Sequence, residues 1–478
     1  MSELHFPEAT YFIASSRLRP GLDGGYTVAT MRRALQFAAV GGVQPVLLAF
    51  DLSPDYERYT REFVEIGLAT DATVIRSLYQ DLRDTPSIIR SVVEPVETTG
   101  ISTSSTTAST TETTDMDADG RPWRTIATGS DGVITHTDFL DGDGQPLFRL
   151  PYISGRSDWW RSEILIDVFD GGEVIGQLRG FAGLYQAWVN HLVAAVDGPA
   201  VVVVEARQVG EMLAGPRDYK LVHTVHNAHT AAPHRWDSPM DDTWTGWFDT
   251  VDSYDAIIWL TERQREDAER RFGAHRRSVV IPHPAEAEPV FPPFSDRDPN
   301  LAVMVARLVE QKRVADAIRA WPNVVAGSRN ARLEIYGEGA QRPALEALIA
   351  ELGIGDNVTL MGYRPNASDV LFRAGLLIVS SNYEGHSLVV LESFSRGCPI
   401  VSYDINYGPS ETIVDGVNGL LVTPGDVKAF TAAVASIIGD APRLAQLSRG
   451  AYDWASTHGV ERSMALTRDL MKAVLADA

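Results

Sequence analysis

Between Asn300 and Pro424 the chain reads NLAVMVAR (300–307), ARLEIYG (331–337), NVTLMGY (357–363), GLLIVSS (375–381), CPIVSYD (398–404) and NGLLVTP (418–424), with helix-like segments between most of the runs. Apolar, β-branched runs alternating with helices predict a parallel, doubly wound sheet. Such sheets bind ligands beyond the carboxyl ends of their strands, where the strand order reverses. The loops that follow these six runs are therefore where chemistry is expected.

Upstream the same rhythm is less regular. A strand-like TYFIASS (10–16) leads to a turn at Leu22-Asp23-Gly24-Gly25, a helix-like TVATMRRALQFAAV (27–40) and a strand-like QPVLLAF (44–50). The pattern resumes with AVVVVEA (200–206), KLVHTVH (220–226), AIIWLT (256–261) and SVVIPHP (278–284). These pieces predict a second α/β domain, interrupted over residues 82–178. Within the interruption, Glu97 to Thr114 is almost entirely Thr, Ser, Glu and Ala. That run is too polar to build a core, and disorder is expected over 97–118. After it, Asp131-Gly132, Asp141-Gly142-Asp143-Gly144 and Asp170-Gly171-Gly172 read as turns between strands of an inserted antiparallel β module, with Trp123, Trp159 and Trp160 in or near its core. The expected division is 1–81 and 179–285 for the N-terminal domain, 82–178 for the insertion, 286–458 for the C-terminal domain, and 459–478 for a terminal helix packing back on the N-terminal domain.

A chain of 478 residues exceeds the roughly 250–300 at which one core stops growing, so two domains agree with its length. Hydrophobic residues at 44 % and charged residues at 22 % are ordinary globular usage. Cys398 is the only cysteine, so no internal disulfide can form. The N-terminal stretch has no basic start followed by an apolar run, and no run of about 18 apolar residues occurs. A cytoplasmic protein is expected, free or at the inner membrane surface. The net charge of −21 repels polyanions and argues against nucleic-acid binding. Arg17, Arg19, Arg32 and Arg33, or Arg270, Arg271, Arg276 and Arg277, could form a local basic patch, although solvated surface arginines explain both groups.

Four features converge on the expected ligand face of the C-terminal domain. Arg307 ends a strand and Lys312 follows five residues later, which suits a diphosphate whose charge grows as a sugar bond breaks. Gly337 and Gly339 in Tyr336-Gly337-Glu338-Gly339 allow close backbone approach at a strand-to-helix turn. Gly385, His386, Ser387 and Leu388 open a helix whose first N–H groups are unpaired, flanked by Glu384 before it and Glu392 within it. A carboxylate on so apolar a helix wants a donor-rich partner, such as a ribose diol. The fourth is CPIVSYDINYGPSETIVDGVNGLLVTPGD (398–426), which carries Gly408-Pro409 and Glu411.

Together, Arg307 and Lys312, Glu384 and Glu392 with seven residues between them, and G-P-S-E-x6-N-G-x-L-V resemble the retaining GT-B glycosyltransferases of the large group-one family. The match is close over about residues 300–440. The resemblance implies two Rossmann-like doubly wound domains facing a cleft. It implies Glu392 on the nucleotide ribose, Glu384 beside the transferred sugar, and Arg307 and Lys312 on the diphosphate. Leu22-Asp23-Gly24-Gly25, HTVHNAHT (223–230), WLTERQREDAERRFG (259–273), IPHP (281–284) and the insertion resemble, more loosely, the branch of wall-teichoic-acid α-glycosyltransferases and serine-rich adhesin glycosyltransferases. The polar run Glu97 to Thr114 departs from that branch. The branch implies UDP-glucose or UDP-N-acetylglucosamine as donor, with His226 and His229 lining the cleft and Gly24 and Gly25 close to the donor. Arg364 joins the expected donor-binding residues.

A zinc site built from His223, His226 and His229 is disfavoured, because His223 and His226 on one strand point to opposite faces. The D-x-D pairs Asp115/Asp117 and Asp141/Asp143 lie in turn-rich or polar sequence, and neither is taken as a metal site. The expectation is metal-free hexosyl transfer from a UDP-sugar to a hydroxyl, with no cofactor. The acceptor is a polyol-phosphate polymer such as teichoic acid, a glycan, or the Ser/Thr of a protein. A GT-B epimerase or phosphorylase is a rival enzyme. A non-catalytic subunit acting as partner or chaperone is the rival outside that class, and the insertion could serve a homo-oligomer.

Overall fold

The computed structural model describes residues 4–21, 24–94, 110–152, 159–161 and 163–477. The chain divides into two compact units. The first holds Met1–Thr224, Asp242–Ile257 and Met471–Ala478, and the second holds Val225–Asp241 and Ile258–Leu470.

In the first unit, β1 (Thr10–Ser15), β2 (Val46–Ala49) and β3 (Val74–Ser77) precede the insertion, and β10 (Ala200–Val204) and β11 (Lys220–Val225) follow it. Neighbours run β11-β10-β1-β2-β3, all parallel. The order reverses between β1 and β10. Arg33 Nε meets Glu205 Oε1 there at 2.9 Å, with both side chains nearly inaccessible. Gly24, with φ 53°, precedes the helix Gly25–Ala39.

The insertion is an antiparallel meander of β4 (Thr111–Met116), β5 (Pro122–Thr128), β6 (Ile134–Leu140), β7 (Pro146–Pro151), β8 (Leu165–Asp170) and β9 (Glu173–Arg179). All three predicted Gly turns fall between strands. Residues 111–116 correct the expectation of disorder over 97–118; of the rest, 97–109 lie outside the described residues. β4 buries almost nothing, yet it pairs with β5 from Thr111–Thr128 to Met116–Pro122. Threonine favours extended backbone, and the ladder needs no core behind it. Asp115 is held by Arg124, and Asp117 by Arg83 and Arg121, while Asp141 accepts from the N–H groups of Asp143 and Gln145 in its turn. Trp123 lies 5.9 Å from Phe139 in the module, but Trp160 leaves it and donates to Glu211 of the α/β layer at 3.0 Å.

The second unit contains β13 (Ser278–Val280), which follows β12 (Ala256–Trp259), and a complete sheet of β14 (Asp298–Val305), β15 (Arg332–Tyr336), β16 (Val358–Gly362), β17 (Ala374–Val379), β18 (Ile400–Tyr403) and β19 (Gly419–Val422). All six predicted runs are strands. The order β16-β15-β14-β17-β18-β19 is parallel throughout and reverses between β14 and β17. Ala302 and Met304 face one core with Trp321, Tyr403 and Phe430, while Leu301 and Val303 face another with Phe394 and Leu371. A strand buried on both faces needs this unbroken apolar run. The division departs from the expected boundary at 286, because Val225–Asp241 and the stretch from Ile258 fall in the second unit. The last helix is Val460–Leu475, and residues 471–478 group with the first unit, where Lys220 Nζ donates to the Asp477 carbonyl at 3.3 Å. Among the described residues no helix is long and apolar enough to cross a membrane.

Candidate active site

The reversal between β14 and β17 sets two loops side by side. After β14, Arg307 stands exposed and makes no ion pair among the described residues. The chain then turns through Glu310–Lys312 to Arg313, whose φ of 44° is left-handed. After β17, the Ser380 hydroxyl donates to the carbonyls of Lys312 and Arg313 at 3.0 Å each. Asn382 N donates to Gln311 O at 2.7 Å, and Gln311 Nε2 returns to Tyr383 O at 3.0 Å. These bonds clamp the loops together, and Lys312 Nζ forms an ion pair with Glu384 Oε1. Both side chains are largely buried, so their attraction is screened less than at the surface. Of the four expected catalytic residues, Arg307, Lys312, Glu384 and His229, Lys312 and Glu384 thus partner each other in this structure. Glu384 is also held by its backbone, through N–H to Asn406 O at 3.0 Å and its carbonyl to Tyr407 N at 2.9 Å.

Gly337 and Gly339 complete the edge of the site for a reason other than ligand approach. A Cβ on Gly337 would stand 1.9 Å from Ala306 O, and one on Gly339 2.4 Å from Leu308 O. The glycines let the β15 loop press on the Arg307 loop, where Leu308 N donates to Glu338 O at 2.9 Å. Gly385 does the same on the other side, since a Cβ there would lie 1.8 Å from His226 O. His226 and His386 are joined through His283: rings stack at 5.4 Å for His226–His283 and 5.9 Å for His283–His386.

Burial, reinforced by the charge of His458, pushes the His386 imidazole down to about 4, so it is neutral near pH 7. His386 Nε2 lies 3.4 Å from the Thr412 hydroxyl. His229 is pushed down to about 4 as well, by burial and then by Arg271. His223 instead packs against Trp247 and Tyr254 in the first unit, so the three histidines of HTVHNAHT occupy separate aromatic surroundings. Burial raises the Tyr383 phenol above its usual range, helped by Asp241 and Glu384 and opposed by Arg307, which sets these charges around one ring.

Ser387 precedes the helix Leu388–Ser395, and Glu392 is half-buried within it. Arg307, Lys312, Gly337, Gly339, Glu384, Gly385, His386, Ser387, Leu388, Glu392, His226 and His229 all belong to one unit; Gly24 and Gly25 belong to the other. Arg364 is exposed in the turn after β16. Sequence reasoning missed His283, whose only signal was its place in the quoted IPHP, and Gln311 and Tyr383, which carried none. Glu411 serves the fold, because its carboxylate accepts from Glu262 N at 2.7 Å and Arg263 N at 3.1 Å, at the start of the helix Glu262–Phe272.

Residues 288–454 match the family of glycosyl transferases group 1. A poly(glycerol-phosphate) alpha-glucosyltransferase of Bacillus subtilis (strain 168) is 27 % identical over 293 residues, 60 % of this chain and 42 % of that protein. The UDP-N-acetylglucosamine–peptide N-acetylglucosaminyltransferase GtfA subunit of Streptococcus gordonii is 25 % identical over 275 residues, 54 % of this chain and 52 % of that protein. The aligned stretches thus span only part of each relative's own length. A crystal structure of S. aureus TarM in complex with fondaparinux, alpha-GlcNAc-glycerol and UDP superimposes with a TM-score of 0.77 over 97 % of this chain and 99 % of that one, at 16 % identity. That identity speaks for the fold alone. Over residues 288–454 the chain is thus similar to the glycosyl transferases group 1, and its fold is GT-B.

Proposed function

We propose that the chain moves a hexose or N-acetylhexosamine from a UDP-sugar to a hydroxyl of a polyol-phosphate polymer, with retention of configuration and without a metal ion. The observation that carries this reading is Lys312 beside Glu384 at the reversal of the C-terminal sheet, with Arg307 at the end of β14 and a helix that starts at Leu388, shortly after Gly385. Arg307 and Lys312 supply fixed positive charge where a leaving diphosphate gathers negative charge. The first N–H groups of the helix Leu388–Ser395 supply donors to its phosphate oxygens. His386, neutral near pH 7, offers a hydrogen-bonding ring rather than a charge. Glu392 receives the ribose hydroxyls. The acceptor hydroxyl attacks the anomeric carbon on the face the diphosphate leaves: the bond to phosphate oxygen breaks, the bond to the acceptor oxygen forms, and the hydroxyl proton passes to a phosphate oxygen. No carboxylate then bonds covalently to the sugar. Glu384 orients the sugar and holds Lys312.

The acceptor class is taken from the Bacillus subtilis relative, which is 27 % identical to this chain against 25 % for the peptide-modifying one. The test is a thermal-shift screen of UDP-, GDP- and ADP-sugars, since a ligand of the native state raises its melting temperature, followed by transfer assays with polyol-phosphate and peptide acceptors in EDTA. Stabilisation by UDP-sugars alone and an axial product linkage from an α-linked donor are expected. A manganese requirement would sink the metal-free step, transfer to peptide only would move the acceptor class, and no binding at all would leave a non-catalytic subunit.

A further inference from the structure

The segment Asn227–Asp241 belongs to the C-terminal unit and closes into a hairpin through the Thr230–Met240 bridge, Ala231 N to Pro239 O at 2.8 Å and Asp241 N to His229 O at 3.1 Å. Near its tip, His234 adopts a left-handed φ of 61°. Its N–H donates to Ala231 O at 2.9 Å, and its carbonyl accepts from Asn406 Nδ2 at 2.9 Å. Its ring lies on Tyr383, with centroids 4.1 Å apart. Tyr383 is the residue before Glu384 and feels the charges of Glu384 and Arg307. His234 is therefore one ring away from the groups assigned to sugar and diphosphate.

The two ring nitrogens of His234 are not equivalent. Nδ1 lies 2.6 Å from the Thr230 carbonyl oxygen, and a carbonyl can only accept, so Nδ1 carries the hydrogen. The neutral ring then presents Nε2 as a lone pair, and among the described residues Nε2 makes no hydrogen bond. Backbone, ring face and one nitrogen are all fixed, and in the neutral tautomer the remaining nitrogen is an acceptor. Groups held this firmly lose little freedom on meeting a ligand.

We propose that His234 is a specificity-determining residue whose Nε2 accepts a hydrogen bond from a sugar or polyol hydroxyl at the reacting centre, belonging either to the transferred sugar or to the acceptor. This rests on the glycosyl-transfer reading above. A carbonyl or phosphate oxygen offers no hydrogen and gains nothing there, so the residue selects for a hydroxyl at that place.

The test uses two substitutions in the full chain. His234→Asn tolerates positive φ and can offer an amide N–H to Thr230 O, but has no atom where Nε2 stands. His234→Gln places an amide near Nε2 but gives up the Thr230 bond. UDP affinity is measured by calorimetry, and KM is measured for UDP-sugar at saturating acceptor and for acceptor at saturating UDP-sugar. His234→Asn is expected to keep the melting temperature and UDP affinity while raising one KM roughly three- to tenfold, the worth of one neutral hydrogen bond. His234→Gln is expected to recover part of that loss. The KM that moves identifies whose hydroxyl is read. Both KM values unchanged in His234→Asn would overturn the proposal. So would a lowered melting temperature with UDP affinity and both KM values weakened alike, the mark of a purely structural residue. Failure of the underlying reading is separate, because the parental protein would then bind no UDP.

Discussion

Lys312 and Arg307 are asked for the same work on the diphosphate, yet they stand in different surroundings, and that difference separates catalysis from stability. Removing either charge is expected to lower turnover on the order of a hundredfold, as loss of a contact to developing charge does. Lys312→Ala also strands Glu384, a carboxylate only 9 % exposed, without its ion pair. A melting temperature lowered by several degrees is therefore expected for Lys312→Ala and an unchanged one for the exposed Arg307→Ala. Near-normal turnover in both variants would remove the diphosphate assignment. The two glutamates divide differently. Glu392→Gln should weaken UDP and UDP-sugar alike, raising KM more than it lowers kcat, because ribose binding is uniform between ground and transition states. Glu384→Gln should depress kcat with UDP affinity within about twofold. Calorimetry beside steady-state kinetics reads both, and the reverse pattern would turn the donor end for end.

Between elements, the decisive contacts are backbone on backbone. Gly385→Ala would drive a methyl into the His226 carbonyl, so a loss of folded protein or of several kcal/mol of stability is expected, as overpacking against an unyielding wall produces. A soluble variant with the parental melting temperature would refute that contact. This level is also where the sequence reading ran out. The six strands of the C-terminal sheet were legible because a strand buried on both faces admits little but β-branched and aliphatic residues, as Leu301 to Val305 show. Arg307, Lys312 and Glu384 were legible through their spacing, and β14 and β17 bring them together by strand order. β4 was not, because its threonines bury nothing and only the partner strand reveals the ladder. Glu411 belonged to a recognisable motif, yet its cap on a helix about 150 residues earlier in the chain is a tertiary fact. Nothing local in IPHP announces that His283 lies between two other rings.

Across the whole molecule, buried neutral histidines set the acid limit of stability. His229 and His386 are held near 4 in the fold, against about 6.5 in an unfolded chain. Between those values the unfolded chain binds protons that the fold refuses, so their contribution is complete above pH 6.5 and is lost as pH falls toward 4. Melting temperature is expected to drop over that window, and less steeply in His386→Gln; a flat profile would contradict the burial of these rings. The C-terminal unit is threaded rather than appended, since Val225–Asp241 leave the first half of the chain to join it. A graft of residues 288–454 alone would leave behind the His226 carbonyl that Gly385 presses on, the His283 ring and the hairpin that holds His234. Recombination among relatives should accordingly tolerate exchange of Val225–Asp241 together with Ile258–Leu470 better than exchange of the matched domain alone, so that donor preference is inherited as two stretches of sequence travelling together.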